Sequence, residues 1–393
     1  MALSLGIVGL PNVGKSTLFN ALVKNAQAQA SNYPFCTIDP NVGVVQLPDE
    51  RLEKLSEISK SKQIVPTTVE FTDIAGLVQG AHHGEGLGNQ FLSHIRQTDA
   101  IAMVVRFFED KDIVHVAGAI DPVDDIHVIN LELILADLAV AEKRLEALKK
   151  ETKSGDAKAK KRVEIMQKIK DGLDREIPVR QIFPDPNDLE PIKDIQFITS
   201  KPVIYIANVS EGQASITSDE LIKHHGLQSI LQPTNIQKVI ARSETTKQSI
   251  DCHASLAMTK NNLILISAKI EAELSVLAEK EQQEYLESLG LHESGLNRLI
   301  EAAYETLGLI TFFTSGEKET RAWTVLKGSS APVAAGKIHK DFEKGFIAAD
   351  VIKYNDFIKY NGWQGTKEKG LIKTEGKQYV VQDGDVILFK FNV

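Results

Sequence analysis

The sequence predicts an α/β protein: a doubly wound parallel sheet, a helical hairpin inserted into it, and a small β-grasp domain at the C-terminal end. Three observations carry that expectation. Short apolar runs alternate with helix-period segments through much of the chain, which is the order that covers both faces of a parallel sheet. A heptad-spaced apolar stripe interrupts the alternation after residue 128. From about residue 307 the chain becomes a series of short strand-like runs divided by Gly and Asp turns.

The elements follow in order. Residues 3–8 (LSLGIV) form a short apolar run of the kind buried in a parallel sheet, and 16–24 have helical character with Leu18, Phe19 and Leu22 on one face. Further strands are expected at 42–47, 66–71, 100–107, 202–207 and 263–266. Leu131, Leu138 and Leu145 are spaced by seven, as are Ile134, Ala141 and Leu148. After the polar loop KKETKSGDAKAKK a second stripe follows: Val163, Met166, Ile169, Leu173 and Ile177. Together they predict an antiparallel hairpin over 129–199, inserted between the two parts of a nucleotide-binding domain, 1–128 and 200–280. Residues 225–262 are polar and weakly periodic and read as an atypical surface insertion. Within 305–393 the runs ITFFTSG, RAWTVLKG, GFIAADVIKY, KQYVVQDG and DVILFKF predict strands around one helix at 335–344.

At 393 residues the chain is long enough for two or three domains. A hydrophobic fraction of 42% and a charged fraction of 25% are those of a soluble globular protein. No apolar run is long enough to cross a bilayer as a helix, and the first residues lack the basic segment and cleavage site of a secretory signal. Cys36 and Cys252 make no disulfide framework and no metal-ligand spacing, so a cytoplasmic protein is expected. A net charge of −8 argues against a nucleic-acid coat protein, although local basic patches can override it.

GLPNVGKST, residues 9–17, satisfies G-x-x-x-x-G-K-[ST] between a strand and a helix, so the doubly wound sheet is read as that of a P-loop NTPase. Gly9 and Gly14 let backbone N–H groups turn in around phosphates, and the helix start adds its positive end. Lys15 neutralises phosphate oxygens and the Ser16 hydroxyl suits Mg²⁺. Thr37, in NYPFCTIDPN, stands where a loop closes over Mg²⁺ and the γ-phosphate. In DIAG, Asp73 can hold the Mg²⁺ water shell and the Gly76 N–H can bond the γ-phosphate. Leu77 follows, where Ras-type proteins carry a glutamine that orients the attacking water. Leucine has no polar atom for that task. Turnover is therefore slow, or another group acts: His82, His83 and His115 are candidates, and Asn12 could help hold a monovalent cation such as K⁺.

At the base end a guanine reader would carry Asn-Lys-x-Asp after a strand. Here the stretch is Asn208-Val209-Ser210-Glu211. A carboxylate accepts from guanine N1–H and N2–H₂ but meets a lone pair on adenine N1. Glu211 is one methylene longer than aspartate, and Val209 offers only apolar packing. The site is not built to demand guanine. Ser267-Ala268-Lys269 supplies the second base-side loop.

These motifs, with DIAGLVQGAHHGEGLGNQFLSHIR, NVSE and the C-terminal RAW, APVAAGKIHKDFEKGFIAADVI and DGDVILFKFNV, resemble the YchF family of Obg-related P-loop proteins over nearly the whole chain. The resemblance implies a nucleotide-binding domain, a coiled-coil hairpin and a C-terminal TGS domain. It implies ATP preference over GTP, Mg²⁺ dependence, and a cytoplasmic role on the ribosome in translation or the stress response. By motif match it places phosphate binding on Asn12, Val13, Gly14, Lys15, Ser16 and Thr17, Mg²⁺ on Ser16 and Thr37, and adenine contact on Asn208 and Val209. A hydrophobic residue at the position of Leu77 is also a trait of the family. Residues 225–262 depart from it, being longer and more polar than expected there.

The hairpin tip carries Lys149, Lys150, Lys153, Lys158, Lys160, Lys161 and Arg162, a charge pattern suited to the phosphates of ribosomal RNA. A monomer is expected. Three functional readings stand: a slow Mg²⁺-dependent ATPase switch on the ribosome, a non-catalytic ATP-gated binding module, and a GTPase.

Overall fold

The computed structural model describes residues 4–30, 41–47, 49–74, 87–110, 120–151, 157–229 and 263–392. The chain divides into two compact units. One comprises residues 3–44 and 70–302, the other 45–69 and 303–393, apart from the first two residues.

In chain order the first strands are β1 (Ser4–Val8), β2 (Val42–Gln46), β3 (Ile64–Val65), β4 (Thr68–Asp73), β5 (Ala100–Arg106), β6 (Val203–Asn208) and β7 (Leu263–Ile266). All but β3 join one sheet in the order β2-β4-β1-β5-β6-β7. The pairings of β1 with β4 and β5, of β5 with β6, and of β6 with β7 are parallel. Every residue of β5, β6 and β7 is buried, which is why each reads as an unbroken apolar run. The strand order reverses between β1 and β5, and ligands of such sheets bind beyond the strand ends at that reversal. The loop leaving β1 leads there, into helix α1 (Lys15–Ala30).

Helices α2 (Glu50–Ser59) and α3 (Leu87–Gln97) come next, followed by α4 (Pro122–Glu151) and α5 (Ala157–Leu173). The last two form the hairpin. Its first helix begins at Pro122, not 129 as the heptads suggested, because the stripe continues back through Ile126 and Ile129. Ile134, Ala141, Leu145 and Leu148 pack against Ile165, Met166, Ile169 and Leu173. The returning segment closes this core with Val179, Ile192, Ile195 and Phe197. Asp137, fully buried on α4, holds that segment in place. Its carboxylate accepts from the Ile198 N–H at 3.0 Å, the Thr199 N–H at 2.7 Å and the Thr199 hydroxyl at 2.8 Å.

The second unit is built on β8 (Leu309–Ser315), β9 (Thr320–Leu326), β10 (Phe346–Lys353), β11 (Lys373–Glu375) and β12 (Asp385–Phe391), in the order β11-β10-β12-β8-β9-β3. The helix Ala331–Ile338 packs Ala331, Ala334 and Ala335 onto it, the grasp arrangement expected. Three details differ from the sequence reading. The run at 377–384 is no strand: apart from a lone bridge between Ser330 and Val380, it is a turn-rich approach to β12. The single helix expected at 335–344 is two, Ala331–Ile338 and Lys340–Lys344, separated by His339 in extended conformation. Helices Tyr354–Lys359 and Gly362–Glu368 were not foreseen.

The larger departure is residues 45–69, expected in the nucleotide-binding part but belonging to the second unit. There β3 lies parallel to β9, with Ile64 opposite Thr320. Leu52 and Leu55 of α2 pack with Phe313, Ala322, Ile352 and Phe357. Arg51 is held by Asp49 at 2.8 Å and Asp383 at 2.6 Å. Conversely, the first unit runs past 280 through the helix Glu279–Ser288 and into the helix Gly295–Thr306, whose residues from 303 on belong to the second unit.

The helix Ala268–Leu274 follows β7 and carries Glu271, whose carboxylate is buried and accepts from the Gly295 N–H at 2.7 Å. Burial pushes this carboxyl up to about 7, against the opposing pull of the Gly295 and Leu296 N–H groups and of Arg298. Folded chains therefore keep this proton between the ordinary value of 4.5 and about 7, where unfolded chains have lost it. Stability should fall as pH rises through that window and level off above it. Glu271→Gln keeps the acceptor and has no proton to lose. Urea unfolding followed by circular dichroism should show wild type losing about 2–3 kcal/mol more than this variant between pH 4.5 and 8.

Candidate nucleotide-binding site

The phosphate loop closes tightly for reasons readable at two glycines. Gly14 has φ +95°, and a Cβ there would sit 2.3 Å from Asn208 Nδ2. A Cβ on Gly9 would lie 2.5 Å from the Val104 carbonyl oxygen of β5. Asn12, with φ +61°, makes a second left-handed turn. Helix α1 starts at Lys15 with no acidic residue in its first turn, so its positive end is uncompensated. Lys15 is only 7% exposed, and its ammonium donates to the Leu10 carbonyl at 2.6 Å. Burial lowers its pKa to about 8, and Asp73 at the end of β4 works against that. Burial raises the Asp73 carboxyl in turn, opposed by Lys15. An anion arriving in the loop favours the protonated amine and raises its pKa again.

Ser16 and Thr17 are exposed at the start of α1. Asp73 sits on the strand beside β1, opposite Ile7. Ser16 and Asp73 are hard oxygen donors next to a phosphate loop, a donor set that suits Mg²⁺. Thr37, Gly76, Leu77, His82, His83 and His115 lie outside the described residues, as do Lys153 and residues 230–262. Of the expected insertion, 225–229 end one helix and form a short 3₁₀ turn.

At the base end, Asn208 closes β6 and is 4% exposed. Its Nδ2 donates to the Val13 carbonyl at 2.8 Å, and its Oδ1 accepts from the Ala268 N–H at 3.0 Å. One side chain thus ties the phosphate loop to the Ser267–Lys269 loop. Val209 is 2% exposed and its N–H donates to the Ile266 carbonyl at 2.9 Å, so its side chain packs into the interior. Glu211 is paired with Lys269 at 2.9 Å. The Ser267 hydroxyl is buried without a hydrogen-bond partner.

Two features escaped the sequence reading. The first is the Glu211–Lys269 pair, since nothing in either motif says that they meet. The second is Arg106, which ends β5, is 1% exposed, donates to the Phe108 carbonyl at 3.0 Å and lies over the Phe108 ring. The lone cation closing AIAMVVRF was the available signal.

Comparison with known proteins agrees with this geometry. A family model described as 50S ribosome-binding GTPase matches residues 4–146, and a YchF-GTPase_C model, described as a protein of unknown function (DUF933), matches 309–392. The chain is 50% identical over 393 residues to the Ribosome-binding ATPase YchF of Bacillus subtilis, covering 100% of both chains. It is 46% identical, again over 100% of both, to the protein of the same name from Escherichia coli O157:H7. The chain belongs to the YchF family. The solved structure of the Schizosaccharomyces pombe YchF GTPase covers 99% of this chain and 97% of its own, with TM-score 0.78 and 36% identity. Family membership and the phosphate loop together make the chain a P-loop nucleotide-binding protein. The relatives' names divide over the base, ATPase in the bacteria and GTPase in the yeast.

Asn208→Ala would leave the Val13 carbonyl and the Ala268 N–H unpaired in the interior, about 1–3 kcal/mol each. Titration with fluorescent adenine and guanine nucleotides should show both weakened, by roughly 10- to 100-fold. A loss confined to one base would contradict the bridging role.

Proposed function

We propose that this protein is a Mg²⁺-dependent ATPase with slow intrinsic turnover, acting as a nucleotide-driven switch on the ribosome. The observation that carries the reading is the base end, where the position of the guanine-reading carboxylate holds Glu211, already ion-paired with Lys269. In this proposal Lys15 and the amides of Asn12 to Thr17 bind the phosphates. Ser16 and Thr37 hold Mg²⁺, Asp73 holds its water shell, and Gly76 reports the γ-phosphate. Mg²⁺ supplies neutralisation of the developing phosphate charge. Asn208, Val209, Ser267 and Ala268 frame the adenine. His115 is the proposed water-activating group, and a K⁺ ion beside Asn12 is a further source of charge.

Leu77 favours one second reading, a binding module that ATP shapes without turnover. Single-turnover hydrolysis with and without ribosomes separates the two. Phosphate release should exceed that of Lys15→Ala and rise with ribosomes, whereas a rate equal to Lys15→Ala would leave only the binding module. GTP held more tightly than ATP would sink the base assignment.

The bacterial relatives are named for ribosome binding, and the hairpin supports a contact with ribosomal RNA phosphates. Lys149, Lys150, Lys160 and Lys161 are exposed at its tip. Arg162 is held by Asp194 at 2.7 Å and is less suited to that role. No helix among the described residues is long and apolar enough to cross a membrane. A cytoplasmic monomer fits this reading. Replacing Lys149, Lys150, Lys160 and Lys161 by Gln should weaken ribosome pelleting and flatten its dependence on log[salt], by roughly one for each phosphate no longer neutralised. An unchanged slope would move the RNA-binding surface elsewhere.

A further inference from the structure

The backbone position of Glu211 is fixed by a capping box: the Ser210 N–H and hydroxyl both donate to Gln213 Oε1, at 3.2 Å and 2.9 Å. Its carboxylate is then turned to Lys269, one residue past the Ala268 N–H that Asn208 engages. Glu211 acts most strongly on Lys269, with Glu273 and Asp110 contributing less, and together they hold its ammonium firmly charged. Glu273 is taken by another partner, since the Tyr285 hydroxyl donates to it at 2.5 Å. That leaves Glu211 as the acid to which Lys269 is bonded. In the same Ser-Ala-Lys loop the buried Ser267 hydroxyl makes no hydrogen bond, so Glu211 does not turn in to meet it. The carboxylate at the fourth position of the Asn208 motif is drawn to a lysine at the surface.

From this arrangement we infer that Lys269 is a specificity-determining positioning residue, which restrains the Glu211 carboxylate so that it does not reach the purine edge. A free carboxylate there accepts from guanine N1–H and N2–H₂ and opposes adenine N1. Pairing with Lys269 removes both effects at once. The site then tolerates adenine without any group dedicated to it. The inference rests on the adenine reading above and adds the residue that enforces it. The pair is exposed, Lys269 at 70% and Glu211 at 40%, so its influence is that of a surface ion pair in water.

Lys269→Met keeps the aliphatic stem and removes the charge. Equilibrium titration of the full chain with fluorescent ADP and GDP analogues should show the adenine-to-guanine affinity ratio falling about two- to fivefold, mainly through tighter guanine binding. Adding Glu211→Gln to Lys269→Met should remove the gain, and the effect in wild type should shrink at high salt. A wild type that prefers adenine while Lys269→Met leaves the ratio unchanged overturns the role of Lys269 alone. Equal loss of both nucleotides in Lys269→Met also overturns it, as that marks a general structural role. A wild type with no adenine preference overturns the adenine reading itself, and this inference with it.

Discussion

Two hydrogen bonds from one buried amide, Asn208 to Val13 and Ala268 to Asn208, are the constraint on which the site depends. The phosphate loop leaves β1 and the base loop leaves β7, which stand apart in a sheet ordered β2-β4-β1-β5-β6-β7, with β5 and β6 between them. No backbone pairing joins β1 to β7. Asn208, at the end of β6, spans the gap with a donor on one side and an acceptor on the other. It also explains the glycine it faces, because Gly14 has no Cβ to strike its Nδ2. A shorter side chain reaches neither loop, and a carboxylate has no hydrogen to give the Val13 carbonyl. Phosphate affinity and base geometry are therefore coupled through one residue that need not touch the chemistry.

The sheet and the phosphate site were legible in the sequence because both have local signatures. Strands buried on two faces read as apolar runs, and β7 was placed at Leu263–Ile266 to the residue. The phosphate loop is nine consecutive residues whose roles follow from backbone geometry. The hairpin was visible from its heptads, though its start was not, since a helix that passes from sheet to hairpin keeps a continuous apolar stripe. What was missed depends on distant pairing. Nothing local in 45–69 says that β3 will pair with β9 more than two hundred residues later, or that Leu52 and Leu55 will meet Phe313. The run at 377–384 has strand composition but forms no ladder, because the neighbouring places beside β12 are taken by β8 and β10.

Burial explains where the chain keeps its charges. Asp137 and Glu271 are both carboxylates removed from water, and both accept backbone N–H bonds from a segment that must be held. Asp137 secures the return from the hairpin, and Glu271 secures the start of the helix Gly295–Thr306. Such groups are costly to ionise and more costly to leave unpaired. Lys15 is the cationic counterpart. Its burial makes it responsive to an arriving anion, whereas the carboxylates serve as fixed anchors.

The two ends of the site differ in strength for the same reason. On the phosphate side the lysine is buried, the loop is fixed by close packing at Gly9 and Gly14, and the helix end is uncompensated, so the lysine's charge acts in a low-dielectric setting. On the base side the charged groups are exposed, where water weakens an ion pair. Affinity is then set by the phosphates and base choice by a small difference. In the proposed reading, a small change at Glu211 or Lys269 shifts that choice without disturbing the phosphate site or the fold. Base preference is accordingly the property of this scaffold most open to change, and it fits a family in which proteins of one fold carry both ATPase and GTPase in their names.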